Sequence, residues 1–206
     1  AADGLPYIRP LYTIEDAKAA QDYFESVHYG QWVNVDENVQ LLYTDAGHII
    51  GSAAVHLKIK ENGRITRLTF SGDVGRYRDV ILKSPEVFPQ ADYILLESTY
   101  GNSLHEVNKT TPDQVLGWIV KTCLEKKGKL IMPAFSVGRT QELLFALNQL
   151  EQERRLPPLD YFVDSPLSVE ATEVVKRFPE YFNKSIQKVL QSDDDPFSFP
   201  GLKYVK

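Results

Sequence analysis

From Thr111 onward the apolar rhythm of this chain alternates between helical and strand periods, and that alternation constrains its fold more than any other feature. Helical spacing over residues 112–126, a strand-like run at 129–133, a helical stretch at 138–153, a second strand run at 159–164 and a helical stretch at 166–178 read as αβαβα. This order predicts an α/β unit whose strands lie parallel in one sheet, joined by right-handed crossovers. The residues after it, 191–202, carry three acids, two prolines and a glycine and are expected to be extended.

The first half obeys a different pattern. Thr13 followed by Asp16 is a capping-box-like start, and Ile14, Ala17, Gln21, Phe24 and Val27 continue it as a helix over residues 13–27, ended near Tyr29 and Gly30. Residues 38–43 and 52–59 read as strands flanking a loop that holds His48. The turn Glu61, Asn62, Gly63 then leads into a strand at 64–70, which makes a hairpin with one buried face. Alternation with Val55 and Leu57 points His56 toward solvent. Residues 91–97 form a short apolar strand ending in Glu97, after which Ser98 to Asn102 breaks the pattern. The change of rhythm places a domain boundary near residues 102–110, giving units 1–103 and 104–206.

Of the 206 residues 43% are hydrophobic and 11% aromatic, enough for a real core. A single cysteine, Cys123, excludes an internal disulfide, packs as a small hydrophobe and fits a reducing, cytoplasmic setting. The chain has no run of about 18 apolar residues, and its first residues lack the basic and apolar regions of a secretory signal, so no membrane partner is expected. The net charge of −5 argues against gripping nucleic acid by bulk electrostatics. The charge is uneven, however. Residues 1–46 carry eight acids against Arg9 and Lys18, whereas residues 58–83 carry seven bases against Glu61, Asp73 and Asp79. A local phosphate-facing surface near Asp73 and a plain solvated strand face both account for that basic stretch.

Three acid–base residues fall at strand ends. His48 lies in Asp45-Ala46-Gly47-His48-Ile49-Ile50-Gly51-Ser52-Ala53, Asp73 in Phe70-Ser71-Gly72-Asp73-Val74-Gly75, and Glu97 follows the third strand. A glycine before an imidazole lets backbone approach closely, and a carboxylate on a tight Ser-Gly turn is placed to bridge two cations. Each motif alone is ordinary turn chemistry; three polar groups on neighbouring strand ends suggest one pocket. The chain has no His-x-His, Cys-x-x-Cys or His-x-x-x-His, so the metal site reads as truncated. At Ser136-Val137-Gly138-Arg139-Thr140 a strand leads into a helix, where free N–H groups favour an anion and Arg139 could clamp a phosphate; plain capping by Ser136 or Thr140 is the alternative. Ser165-Pro166 reads as simple capping, and His28 as a residue at a helix C-terminus.

These stretches resemble the metallo-β-lactamase fold nucleases of the β-CASP group, which includes the pre-mRNA 3′-end cleavage endonuclease and its bacterial and archaeal relatives. The likeness rests on Asp45 to Ala53, Ser71-Gly72-Asp73-Val74-Gly75-Arg76 and Leu96-Glu97-Ser98-Thr99-Tyr100-Gly101. It continues through Pro133-Ala134-Phe135-Ser136-Val137-Gly138-Arg139-Thr140-Gln141-Glu142, Val163-Asp164-Ser165-Pro166-Leu167 and Phe199-Pro200-Gly201-Leu202. The resemblance implies part of an αββα metallo-β-lactamase domain in residues 1–103 and part of an inserted β-CASP α/β domain with a parallel sheet in residues 104–206. It implies that His48 ligates one zinc ion, that Asp73 bridges two, and that Glu97 orients a histidine near the leaving group. A hydroxide bridging the two ions would attack phosphorus in line, leaving RNA fragments with a 3′-hydroxyl and a 5′-phosphate. His105 is implied to be a structural or substrate-side residue.

The departures from the family pattern bear on activity. The family's His-x-His-x-Asp-His motif would precede residue 1 and its two later histidine motifs would follow residue 206. The chain therefore reads as an internal segment of a zinc-dependent ribonuclease that could form homo-oligomers, the segment alone binding zinc weakly or not at all and lacking nuclease activity. A DNA nuclease of the same fold and a catalytically silent scaffold of an RNA-processing complex are the alternatives; an intact His-x-His-x-Asp-His upstream separates enzyme from scaffold.

Overall fold

The computed structural model describes residues 10–104 and 111–205. Helix α1 (Ile14–Gln21) begins at the capping box expected of Thr13 and Asp16, each side chain meeting the other's backbone amide. It is shorter than the predicted span of 13–27. The helix buries none of its residues, and Tyr23 and Phe24 beyond it are exposed, so no apolar face is covered to pay the cost of further helical turns. His28 consequently does not stand at a helix C-terminus, correcting that expectation.

A five-stranded sheet follows in the order β1 (Val33–Asn34), β2 (Val39–Asp45), β3 (Ala53–Glu61), β4 (Arg64–Phe70), β5 (Tyr93–Leu95). The first four strands are antiparallel and β5 is parallel to β4. The hairpin is closed by Asn62 and Gly63, both at positive φ, and this two-residue turn sets Glu61 opposite Arg64.

Register places His56 between Leu42 and Thr69. Its ring is 2% exposed, with its two nitrogens 2.9 Å from the hydroxyls of Thr44 and Thr69 and its edge against Phe88. The solvent-facing orientation predicted for His56 is therefore corrected. The face it shares with Leu42, Thr44, Ala54 and Thr69 is the buried one, and two threonines satisfy the imidazole there. Burial lowers the tendency of His56 to take a proton.

In the second half, α2 (Pro112–Ile119) continues into a π-helical turn at Val120–Glu125, then come α3 (Arg139–Gln152), β6 (Tyr161–Val163), α4 (Pro166–Lys176), a 3-10 turn at Pro179–Tyr181, α5 (Lys184–Val189) and β7 (Leu202–Tyr204). Ser165 caps α4 by accepting from the Ser168 amide, as its sequence suggests. The predicted strand at 129–133 is not one: it has no ladder partner among the described residues. Among the described residues the parallel sheet of this half is accordingly the pair β6–β7.

The tail also departs from expectation. Instead of lying extended, it buries Pro196, Phe197 and Phe199 in the core, because its aromatic pair outweighs its acids and prolines. Phe197 meets Phe182 edge-on, and Phe199 meets Tyr161 in the same way. The core of this half gathers Val115, Ile119, Leu144, Leu147, Leu150, Phe182, Ile186 and Phe197, together with Ile81 from the β4–β5 connection. No helix among the described residues is long and apolar enough to cross a membrane.

Candidate functional site

The β2–β3 loop and the loop after β4 emerge from the same end of the sheet because β3 pairs with both strands. Gly47, at φ +62, opens the first loop, and its amide is received by Asp45 Oδ1 at 2.8 Å. Ser52 closes it, its hydroxyl accepting from the His48 and Ile49 amides at 3.2 and 3.3 Å. The second loop turns at Gly72, φ +57, and its Gly75 amide donates to Ala46 O at 2.8 Å. A side chain at either glycine of this contact would collide: a Cβ on Gly75 would lie 1.8 Å from Gly47 O, and one on Gly47 would lie 2.7 Å from Pro85 N. The two loops are thus pressed together, and His48 Nε2 comes within 3.9 Å of Asp73 Oδ2.

Glu97 joins this pair from the end of β5. Its Oε1 accepts from the Val74 amide at 2.9 Å, and its own amide donates to Ser71 Oγ at 3.0 Å. The Val74 amide first, then the Thr99 hydroxyl, hold its carboxyl below the usual carboxylate range, and the nearby His48 acts in the same sense. Asp45, by contrast, is pushed upward by burial. The three residues singled out at strand ends therefore share one end of the sheet, with Asp73 and Glu97 linked through Val74.

The predicted anion site at the start of α3 is arranged differently from a free helix terminus. The Gly138 amide donates to Gln141 Oε1 at 2.7 Å, the Thr140 hydroxyl donates to Phe135 O at 2.8 Å, and Ser136 Oγ lies 3.4 Å from Ser165 Oγ. Ser136 and Thr140 thus have internal partners, but neither side chain caps α3; the amide of its N-cap, Gly138, is met by Gln141 instead. Arg139 faces Glu142, with Nη1 to Oε2 at 2.5 Å, and the other oxygen of Glu142 lies 3.9 Å from Arg76. This helix start and the His48 loop border one cleft, lined by His48, Ile50, Asp79, Val137, Gly138 and Glu142 among others. Arg76 and Glu142 were not singled out from the sequence, although the arginine directly follows the Asp73 loop glycine. His105 lies outside the described residues.

His48 and Asp73 are one imidazole nitrogen and one carboxylate oxygen, the donor chemistry zinc accepts. Two donors fit a zinc ion in kind but do not complete its coordination, and no group of three or more His, Cys, Asp or Glu that could hold a metal occurs among the described residues.

Residues 140–206 match the family model of the Beta-Casp domain. The chain is 32% identical over 197 residues to ribonuclease TTHA0252 of Thermus thermophilus, covering 96% of this chain and 44% of that protein. Residues 140–206 are thus a Beta-Casp domain segment. An RNase J-like protein of Methanocaldococcus jannaschii is 29% identical over 189 residues, covering 90% of this chain and 44% of that one. The endoribonuclease YSH1 of Kluyveromyces lactis is 29% identical over 202 residues, covering 95% and 26% respectively. The chain spans less than half the length of these relatives.

Proposed function

We propose that the chain is part of a zinc-dependent β-CASP ribonuclease, with residues 1–103 contributing to a metallo-β-lactamase domain and residues 104–206 to the β-CASP domain. The observation that carries this reading is the approach of His48 to Asp73 at 3.9 Å beside Glu97, in a chain whose relatives bear the names ribonuclease and endoribonuclease.

In this reading His48 and Asp73 would hold zinc together with donors beyond this pair. Zinc, when bound, supplies a nucleophile from water at neutral pH and stabilises charge developing on oxygen. The chain's own contribution is placement. The Gly47–Gly75 contact fixes the two donors, and the ionised Glu97, held by the Val74 amide, keeps the Asp73 loop in register with β5. Arg139, at the cleft His48 lines, is the proposed contact to the RNA backbone, with Ser136 and Thr140 shaping the helix start beneath it. The substrate is RNA, and the segment alone is expected to be inactive.

Two measurements test this. Calorimetric titration of the chain with zinc should give weak binding or none; two tight sites would show that it holds a complete centre and overturn the partial-site reading. Fluorescence anisotropy with a labelled single-stranded RNA should show salt-dependent binding, and preference for DNA of the same sequence would replace RNA as substrate.

A further inference from the structure

Two arginines from opposite halves of the chain meet at one carboxylate. Arg76 leaves the Asp73 loop directly after Gly75, the residue locked against Gly47 and Ala46. Arg139 opens α3, and Glu142 stands one turn further along the same helix. Glu142 reaches Arg139 with Oε2 at 2.5 Å and Arg76 with Oε1 at 3.9 Å.

Exposure divides the three unequally. The Glu142 side chain is 14% exposed, while those of Arg139 and Arg76 are 40% and 59% exposed. The carboxylate is the fixed member, and the guanidiniums are the ones that face solvent. The group stands beside a cleft that His48 and Glu142 both line.

We propose that Arg76 and Arg139 form a two-armed subsite for an RNA backbone phosphate, held in place by Glu142 and engaged through the guanidinium edges that face solvent. The inference rests on the RNA reading above and adds Arg76 to it. Each guanidinium carries five N–H donors in a fixed fork, more than one carboxylate takes up, so Glu142 stays bonded while the exposed edges receive the phosphate. Guanidinium forks match phosphate oxygens bidentately, which a lysine cannot do. Because Arg76 is rooted in the loop that carries Asp73, the phosphate so held sits in fixed relation to the His48–Asp73 pair.

The test is anisotropy of the 206-residue chain with a labelled single-stranded RNA across a salt series, comparing Arg76→Ala, Arg76→Lys, Arg139→Ala and Arg64→Ala. Arg64 lies at the hairpin turn, at the other end of β4 from Asp73, and controls for the lost charge. Arg76→Ala and Arg139→Ala should each weaken binding several-fold and lower the log–log salt slope by about 0.7. Arg76→Lys should restore the slope but not the full affinity, and Arg64→Ala should change neither. Far-ultraviolet circular dichroism on each variant confirms an unaltered fold. If the wild type binds RNA and Arg139→Ala lowers the slope while Arg76→Ala behaves like Arg64→Ala, the two-armed subsite is wrong and the RNA reading stands. If the folded wild type does not bind RNA, both fall.

Discussion

Gly75 and Gly47 touch so closely that no β-carbon fits between them: one on Gly75 would sit 1.8 Å from the Gly47 carbonyl oxygen. This contact is what brings the His48 loop against the Asp73 loop. Gly75→Ala should therefore force the loops apart and destabilise the fold by at least about 2 kcal/mol in urea denaturation. Gly51→Ala in the same loop meets nothing within 4 Å and bears only the strain of φ +86, so it should cost about 1 kcal/mol. Equal losses for the two variants would mean the loop contact does not matter.

His56 gives the fold a pH dependence of predictable sign. Its folded tendency to protonate is lowered by burial, so the unfolded chain takes up a proton first as pH falls. The stability due to neutral His56 is fully present above the unfolded pKa near 6.5 and is lost as pH drops below it. Asp45, pushed upward by burial, acts in the opposite sense at lower pH. The His56 contribution is isolated by comparison with His56→Gln: urea midpoints at pH 7.5 and 5.5 should fall more steeply for the wild type than for the variant.

Glu97 should remain ionised to lower pH than an ordinary glutamate, because the Val74 amide and the Thr99 hydroxyl both favour its charged form. Carbon-detected magnetic resonance of the side-chain carboxyls would follow its titration directly. Thr99→Val removes the hydroxyl while leaving the Val74 and Thr99 amides and should move that titration upward; no movement would show that the hydroxyl contributes nothing to the shift.

Gln141 ties three segments together while 1% exposed. Its oxygen accepts from the Gly138 amide, and its nitrogen donates to Ser136 O and to Thr172 Oγ1, which lies on α4. Gln141→Leu fills much the same space but strands these partners, so a loss of about 3 kcal/mol is expected in chemical denaturation. A near-neutral result would indicate that water reaches the start of α3.

Much of the front half was readable from sequence because period-two alternation and the Asn62-Gly63 turn act locally. The strands 39–45, 53–61 and 64–70 follow from them. Which face would be buried was not readable, since that depended on the segment carrying Phe88 returning across the sheet to cover His56. Residues 129–133 have strand-like composition, yet strandness needs a neighbour, and none pairs with them among the described residues. The nearness of His48 and Asp73 was suggested by their strand ends, and the fixing contact was also written in the sequence as two glycines. The Arg76–Glu142–Arg139 group was not legible, because it joins residues 63 and 66 positions apart in chain order through tertiary packing alone.

The connection between β4 and β5 does more than carry Asp73. A few residues beyond that carboxylate, Asn183 donates through its side chain to Asp79 O and Val80 O and through its amide to Ile81 O, while Ile81 is sunk in the second core. The chain then turns back, and Glu86 hydrogen-bonds to Asp45 beside the His48 loop. Asp73 is in effect on a short leash whose far end is pinned by the turn before α5. Any rearrangement of that turn, by a neighbouring segment or by bound RNA, would be felt at the carboxylate as tension along the backbone.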